Sequence, residues 1–444
     1  RAELDFSYNQ TMDHEELFHG LAPFKNIRGM GLIKNEMGTL PQSIGLLENL
    51  EVLELWSNEL KSLPATFQHL TQLEYLNLRN NSLTEIPDYF AGFTNLKSLN
   101  LQFNKIKQLP DFLFELGNLE YLNIATCGLT EIPAAIGQLT NLKTLVISKN
   151  KLEKLPNEIK DLKKLEVLAF EGCDHLDLEQ LFELMAELPA MQSLDLSKHE
   201  LKSLPKSIGK MRQVRKINLR ENKLETLPDS FADLQLEELH LDNNPWKMEQ
   251  LFPVLAKVPV YNKMYSGTFP EMLQNKPVDL PASIGQFQHL EDMYLSSGNL
   301  KSIPTSIGQL ENLKSLTICC RNLEALPATI GQMAGLESLT LYACHNLTAV
   351  PDSLYGLPNL KRLGFYKNGC QFDFQKLQRL PALEQLTVAE PTDEVFRQLK
   401  PLDNLKEITF LHGRVLERFP DSFYELDSLE RLRIPFQRFD GRHF

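Results

Sequence analysis

Apolar residues in this chain recur in one fixed phrase. In residues 50–64, Leu50, Leu53, Leu55, Leu60 and Leu63 fill the apolar positions, Asn58 is the constant polar one, and Pro64 closes the phrase. The next stretch repeats it with Leu73, Leu76, Leu78, Asn81 and Leu83. The prolines keep the register. Pro41, Pro64, Pro87, Pro110, Pro133 and Pro156 lie 23 residues apart, as do Pro205 and Pro228, and then Pro281, Pro304 and Pro327. Pro351 follows after 24 residues, and Pro420 lies 69 beyond it, three further units of 23. Counting first-position apolar residues from the Leu4 strand to Leu429 gives about 19 units.

Each part of the phrase has a physical consequence. The alternating x-Leu-x-Leu segment has the period of a short strand with one face turned inward. The asparagine turns inward as well, where its amide can satisfy backbone groups of the turn and of the neighbouring unit. The Leu-Pro pair fixes an extended bend, after which residues such as Ile136 and Leu139 return toward the core. One unit cannot bury its own leucines, so stacked neighbours supply the core. The expected fold is an α/β repeat solenoid. Its strands form a parallel concave sheet, and its convex side carries extended turns, 3-10 helices and short α-helices.

The phrases LPQSIGLLENL, IPAAIGQLTNL and IPTSIGQLENL resemble the leucine-rich-repeat superfamily. They are closest in form to its 23-residue class, seen in Ras-suppressor-type proteins, plant intracellular Ras-group-related proteins and many bacterial repeat proteins. The resemblance covers nearly the whole chain. It implies a horseshoe or arc with partners bound on the concave sheet, and it names neither ligand nor organism.

Five segments break the phrase: MDHEELFHGL near the start, DLEQLFELMAELP after Asp174, KMEQLFPVLAKVP after Trp246, FDFQKLQRLP after Gln371 and DEVFRQLKPL after Thr392. Apolar residues at helical spacing, such as Leu178, Leu181, Phe182 and Met185, predict convex-side helices there. The organisation expected is an N-terminal array over 1–245, an irregular stretch over 246–281 and a C-terminal array over 282–444, in one continuous solenoid. The irregular stretch reads either as a long unit with a projecting excursion or as a hinge. Open sheet edges need covers; the tail with Phe436, Phe439 and Phe444 is a candidate cap.

Composition narrows the function. Lys+Arg 46 against Asp+Glu 58 gives a net charge of −12, a field that repels phosphate backbones and anionic membrane surfaces. No apolar run is long enough for a transmembrane helix, and no secretory leader is visible in the first residues. The first residues already read as a strand, so the expectation is that the chain as given begins after a removed leader or at a cut boundary. Cys127, Cys173 and Cys344 stand at the asparagine position and Cys370 at an apolar one, which predicts packed thiols and leans toward a reducing compartment. Cys319 and Cys320 are expected at the exposed concave rim. His199 reads as a structural hydrogen-bonder at an asparagine-type position. No catalytic, metal-binding or cofactor-binding motif is present, so no enzyme activity, metal or cofactor is expected. Sequons at Asn9, Asn80 and Asn346 would matter only in a secretory eukaryotic setting.

What remains is the solvent side of the sheet. Trp56, Tyr75, Phe103 and Tyr121 fall in consecutive units and are expected to form one aromatic neighbourhood, the kind of residues enriched among interface anchors. Lys198, Arg215, Lys216 and Arg220, followed by Glu237, Glu238, His240 and Asp242, suggest a bipolar patch that could orient a charged partner. Tyr294, Tyr342 and Tyr366, with Lys361, Arg362 and Lys367 beside them, form a sparser second strip. The expected function is a non-enzymatic protein-recognition scaffold, monomeric, with a protein partner on its concave face. Two other readings stay open: a bacterial surface or secreted protein for adhesion or host contact, and the recognition fragment of a larger enzyme or effector.

Overall fold

The computed structural model describes residues 2–258, 280–296, 300–369, 372–389, 392–411 and 421–433, and the backbone of 263–264. Cys370, Pro420, most of the 246–281 stretch and the C-terminal tail lie outside the described residues. The chain divides into two compact units: Arg1–Leu219 with Asp233–Glu238, and Arg220–Ala232 with Leu239–Phe444.

In the first unit, eight parallel strands follow one another in sequence order: β1 (Ala2–Asp5), β2 (Ile27–Gly31), β3 (Val52–Glu54), β4 (Tyr75–Asn77), β5 (Ser98–Asn100), β6 (Tyr121–Asn123), β7 (Thr144–Val146) and β8 (Val167–Ala169). β9 (Ser193–Asp195) and β10 (Lys216–Asn218) pair in the same parallel sense, and β11 (Glu238–His240) follows. Each regular proline opens a five-residue 3-10 turn, as at Gln42–Leu46 after Pro41 and Ala65–His69 after Pro64. Pro64 has φ −70° and ψ 154°, and its carbonyl accepts from the Phe67 amide at 3.0 Å. The ring thus sets an extended entry into the turn at a place where its missing N–H costs nothing. Leu50, Leu53, Leu55 and Leu60 are fully buried, and Phe67, Phe90 and Phe93 pack ring against ring behind them.

The asparagines do what their inward position requires. Asn81 Nδ2 donates to the Leu55 and Leu78 carbonyls, both at 3.0 Å. Its Oδ1 accepts from the amides of Asn58 at 3.1 Å and Leu60 at 3.0 Å. One side chain therefore satisfies buried groups of its own repeat and of its neighbour. Cys127, Cys173 and Cys344 take over the donor half, their thiols donating to Leu101, Ile147 and Ile318 carbonyls at 3.2, 3.4 and 3.6 Å. His199 Nδ1 contacts the Ser197 carbonyl at 2.7 Å, in keeping with a structural role.

In the second unit, β12 (Lys263–Met264), β13 (Asp292–Ser296), β14 (Ser315–Cys319), β15 (Ser338–Tyr342), β16 (Arg362–Tyr366), β17 (Gln385–Val388), β18 (Glu407–Phe410) and β19 (Arg431–Arg433) form a second parallel sheet in sequence order. Its turns pack closely, which accounts for the Ile-Gly pair in the phrase. A Cβ on Gly308 would stand 2.4 Å from the Thr329 carbonyl oxygen, and one on Gly331 the same distance from that of Ser353.

Four of the five irregular segments are α-helical: α1 (His14–Leu21), α2 (Leu178–Met185), α3 (Met248–Leu255) and α4 (Asp393–Leu399). Asp13, Asp177 and Thr392 cap three of them through side-chain oxygens. The fifth differs from expectation. Phe374–Arg379 is a 3-10 helix in which Asp373 Oδ1 accepts from Gln375 N, two residues on, at 3.2 Å.

Cys320 is a second correction. It is fully buried, and its thiol reaches the Leu295 carbonyl at 3.7 Å, whereas Cys319 stays partly exposed. In the regular repeats a left-handed residue such as Ser57 (φ 61°) or Asn80 (φ 52°) precedes the inward asparagine. Residues 319–323 contain none, so the chain turns inward one position early.

Candidate partner-binding face

Strand alternation sends every second residue of the first sheet away from the core. Register aligns Val52, Tyr75, Ser98, Tyr121 and Thr144 in one row, and Glu54, Asn77, Asn100, Asn123 and Val146 in the next. Tyr75 and Tyr121 therefore share a row but sit two strands apart, about 10 Å by ordinary strand spacing, with Ser98 between them. Burial, and then the nearby Glu54 carboxylate, push the Tyr75 hydroxyl up to about 12. Glu54 also accepts from Asn77 Nδ2 at 2.8 Å, and Asn123 Nδ2 donates to the Tyr121 hydroxyl at 3.2 Å. The asparagine carbonyls are tied down too: those of Asn77, Asn100 and Asn123 accept from the amides of Arg79, Gln102 and Ala125. This part of the face is a fixed array of hydroxyls and amides on short strands.

Trp56 and Phe103 occupy a different line, in the turns that leave the strands. Lys34 Nζ stands 5.5 Å from the centroids of both Tyr8 and Trp56, and the Arg79 guanidinium 5.5 Å from that of Phe103. Sequence reasoning singled out the rings but missed Tyr8, Lys34 and Arg79. The signal was available: Lys34, Trp56, Arg79 and Phe103 recur at intervals of 22, 23 and 24 residues. The four expected aromatics are thus divided between a tyrosine row and a cation-aromatic line.

The mid-chain charges pair with one another. In the first unit Lys216 meets Glu238 at 2.9 Å and Arg215 meets Glu237 at 4.0 Å. In the second, Arg220 Nε meets Asp242 Oδ2 at 2.6 Å. Asp242 departs from expectation, because it is only 3% exposed and lies beneath Arg220 instead of facing a partner. His240 is half-buried. An ion pair with one carboxylate withdrawn from water presents less charge to a partner than the sequence pattern implied.

On the second sheet, Tyr342 and Tyr366 are register partners with ring centroids 4.9 Å apart, and Lys367 lies 5.7 Å over Tyr342. Tyr294 heads the row that continues through Thr317, Thr340 and Gly364. Burial, then Tyr342, Cys319 and Tyr294, raise the Tyr366 hydroxyl above its ordinary value. Lys361 is paired with Glu337 at 3.1 Å. Beside this strip opens a cleft of about 420 Å³, bounded by Tyr366, Lys367, Phe372, Phe374, Thr392 and Glu394. Among the described residues, no cluster of His, Cys, Asp and Glu could hold a metal ion, and no helix is long and apolar enough to cross a membrane.

A parallel sheet laid down one short strand per repeat, with leucines and an asparagine ladder behind it, defines a leucine-rich-repeat solenoid. The chain belongs to the leucine-rich-repeat family. The leucine-rich repeat region matches residues 4–123 and 271–442, and the leucine rich repeat matches 189–245. Among solved structures, the chain is similar to a leucine-rich-repeat protein of Leptospira interrogans, with 28% identity and a TM-score of 0.56 over 88% of this chain and 97% of that one. It also matches an internalin of Listeria monocytogenes at 18% identity and a TM-score of 0.36, over 83% of this chain and 89% of that one. The ectodomain of an Arabidopsis thaliana receptor kinase, solved with Casparian strip integrity factor 2, matches at 20% identity and a TM-score of 0.42, over 92% of this chain and 56% of that one. No curated protein matches the chain.

Proposed function

We propose that this protein is a non-enzymatic recognition scaffold that holds a protein partner against the open face of its first sheet. The observation that carries the reading is the display of Trp56, Tyr75, Phe103 and Tyr121 on short, hydrogen-bonded strands and turns, each ring at least partly open to solvent. Rigid aromatic side chains contribute contact area with little ordering cost, and a backbone already fixed by neighbouring repeats lowers that cost further. The ion pairs at Arg215 and Lys216 in the first unit, and Arg220, His240 and the strip at Tyr294, Tyr342 and Tyr366 in the second, act as subsidiary contacts.

The test is a triple substitution, Trp56→Ala with Tyr75→Ala and Tyr121→Ala, used as bait for affinity capture from the native host. The wild-type protein is expected to retain a specific partner and the triple variant to lose it. Circular dichroism and melting would confirm that the variant is folded. Undiminished capture by a folded triple variant would refute the proposed zone.

A further inference from the structure

The line of turns at the ends of β1–β5 carries an ordered sequence of side chains: Tyr8, Lys34, Trp56, Arg79 and Phe103. Aromatic ring and cation alternate over five successive repeats. The backbone ladder fixes this order: Tyr8 N bonds Ile33 O at 2.7 Å, Lys34 N bonds Trp56 O at 3.1 Å and Ser57 N bonds Arg79 O at 2.9 Å. Tyr8, Lys34 and Phe103 hold the left-handed turn position, with φ of 62°, 52° and 57°. All five are at least partly exposed; Tyr8 is 65% exposed and Phe103 39%.

The two cations differ from those at or near the N-terminal ends of strands in the same sheet. There Arg28, Lys97 and Lys143 each meet a glutamate of the neighbouring repeat, at 3.1, 2.8 and 2.8 Å. Lys34 and Arg79 have no carboxylate within ion-pair distance among the described residues; aromatic rings flank them instead. The nearby acids are otherwise engaged: Glu36 accepts from Gln10 Nε2 at 2.6 Å, and Glu54 from Asn77 Nδ2. A cation beside a ring keeps its donors free while losing some hydration, which strengthens a later ion pair. In a chain of net charge −12, the five residues of this line include two cations and no acid.

We infer that this line docks an extended acidic peptide segment of the partner, an inference that rests on the recognition role proposed above. Lys34 and Arg79 stand two strands apart, about 10 Å, which a chain in the extended polyproline-II form, rising about 3.1 Å per residue with about three residues per turn, covers in three residues while keeping the first and fourth side chains on one side. The matching segment therefore carries carboxylates three residues apart, with an apolar or aromatic side chain between them against Trp56 and another beyond the second carboxylate against Phe103. A single-stranded nucleic acid is the competing ligand for a cation-aromatic surface, but it adds a phosphate at every nucleotide and meets the repulsion of the acidic molecule as a whole.

Trp56 reports on the site directly. The other tryptophan, Trp246, is buried, its indole N–H bonded to the Leu241 carbonyl at 2.8 Å, and a Trp246→Phe background leaves one reporter. The probe is a short synthetic peptide with two glutamates three residues apart among phenylalanine and serine. Controls are the same peptide with lysines for the glutamates, and a uridine decanucleotide. The glutamate peptide is expected to change Trp56 fluorescence saturably and to bind more weakly as salt is raised. A Lys34→Gln/Arg79→Gln double variant should lose at least tenfold in affinity, and Lys34→Arg/Arg79→Lys should keep it. Equal binding of the lysine peptide, tighter binding of the decanucleotide, or an unchanged affinity in a folded glutamine variant would overturn the inference. The wider reading is separated by partner capture. If the triple aromatic variant loses the partner while the glutamine variant keeps it, the recognition role stands and the acidic segment does not.

Discussion

Thiols and amides compete for one position in this repeat, and at the residue scale the outcome sets reactivity. An inward asparagine both donates and accepts, as Asn81 does. A cysteine there keeps only the donor contact, as Cys127 does toward the Leu101 carbonyl. Burial pushes the Cys127 thiol up to about 11 and raises that of Cys173 as well. At pH 8 a thiol of that pKa is roughly one part in a thousand thiolate, the reactive form. In a Cys370→Ser background, native protein treated with a thiol-specific disulfide reagent at pH 8 should therefore modify Cys319 fast. Cys127, Cys173, Cys320 and Cys344 should react only on unfolding. Peptide mapping that finds Cys127 modified as fast as Cys319 would contradict the packed-thiol assignment. The roles of Cys127, Cys173 and Cys344 were legible from their register. That of Cys320 was not, because it depends on a turn without its left-handed residue.

At the scale of elements, the turn opened by proline matters as much as the strand. The Ile-Gly pair looks in sequence like a simple return toward the core. Packing gives the glycine its specific reason, since the next repeat's turn lies where a Cβ would be. Gly308→Ala must push Thr329 aside and is expected to cost about 1–3 kcal/mol, the usual range for overpacking a closed site. Gly92 and Gly356 have nothing within 4 Å of that position, so alanine there should be neutral or slightly stabilising through the unfolded chain. Urea titrations of the three variants would check this ordering, and equal costs would show that the clash is not the cause. Four of the irregular segments were legible as helices from their apolar spacing. The segment at 372–381 carries a similar spacing, yet its six-residue turn closes as a 3-10 helix.

At the scale of the whole molecule, repeats support only their neighbours. Each packed pair of turns or strands joins adjacent elements of the chain, as Phe67 meets Phe90 and β14 meets β15. Stability in such an array is close to a sum of local terms and nearest-neighbour interfaces. Hydrogen exchange of Gly308→Ala should therefore lose protection in the turns around residues 282–332 while the amides of β3–β6 keep theirs. Uniform loss across both sheets would mean one cooperative unit instead. The same locality shapes the candidate site. Residues 23 apart become neighbours, so a line of side chains can be built by changing one position per repeat.

The repeat alone determined the class of fold, the identity of the core residues and the side of the sheet left open, because a phrase repeated in register can bury its leucines only by stacking. It also placed the asparagine ladder and most of its thiol substitutes. The division of the four expected aromatics was decided only in three dimensions. Tyr75 and Tyr121 face out from the strands, whereas Trp56 and Phe103 stand in the turns beside cations, since strand alternation and the left-handed turn aim neighbouring residues along different lines. The withdrawal of Asp242 beneath Arg220 was likewise beyond the pattern: a period says which residues recur, and packing says which of them water still reaches.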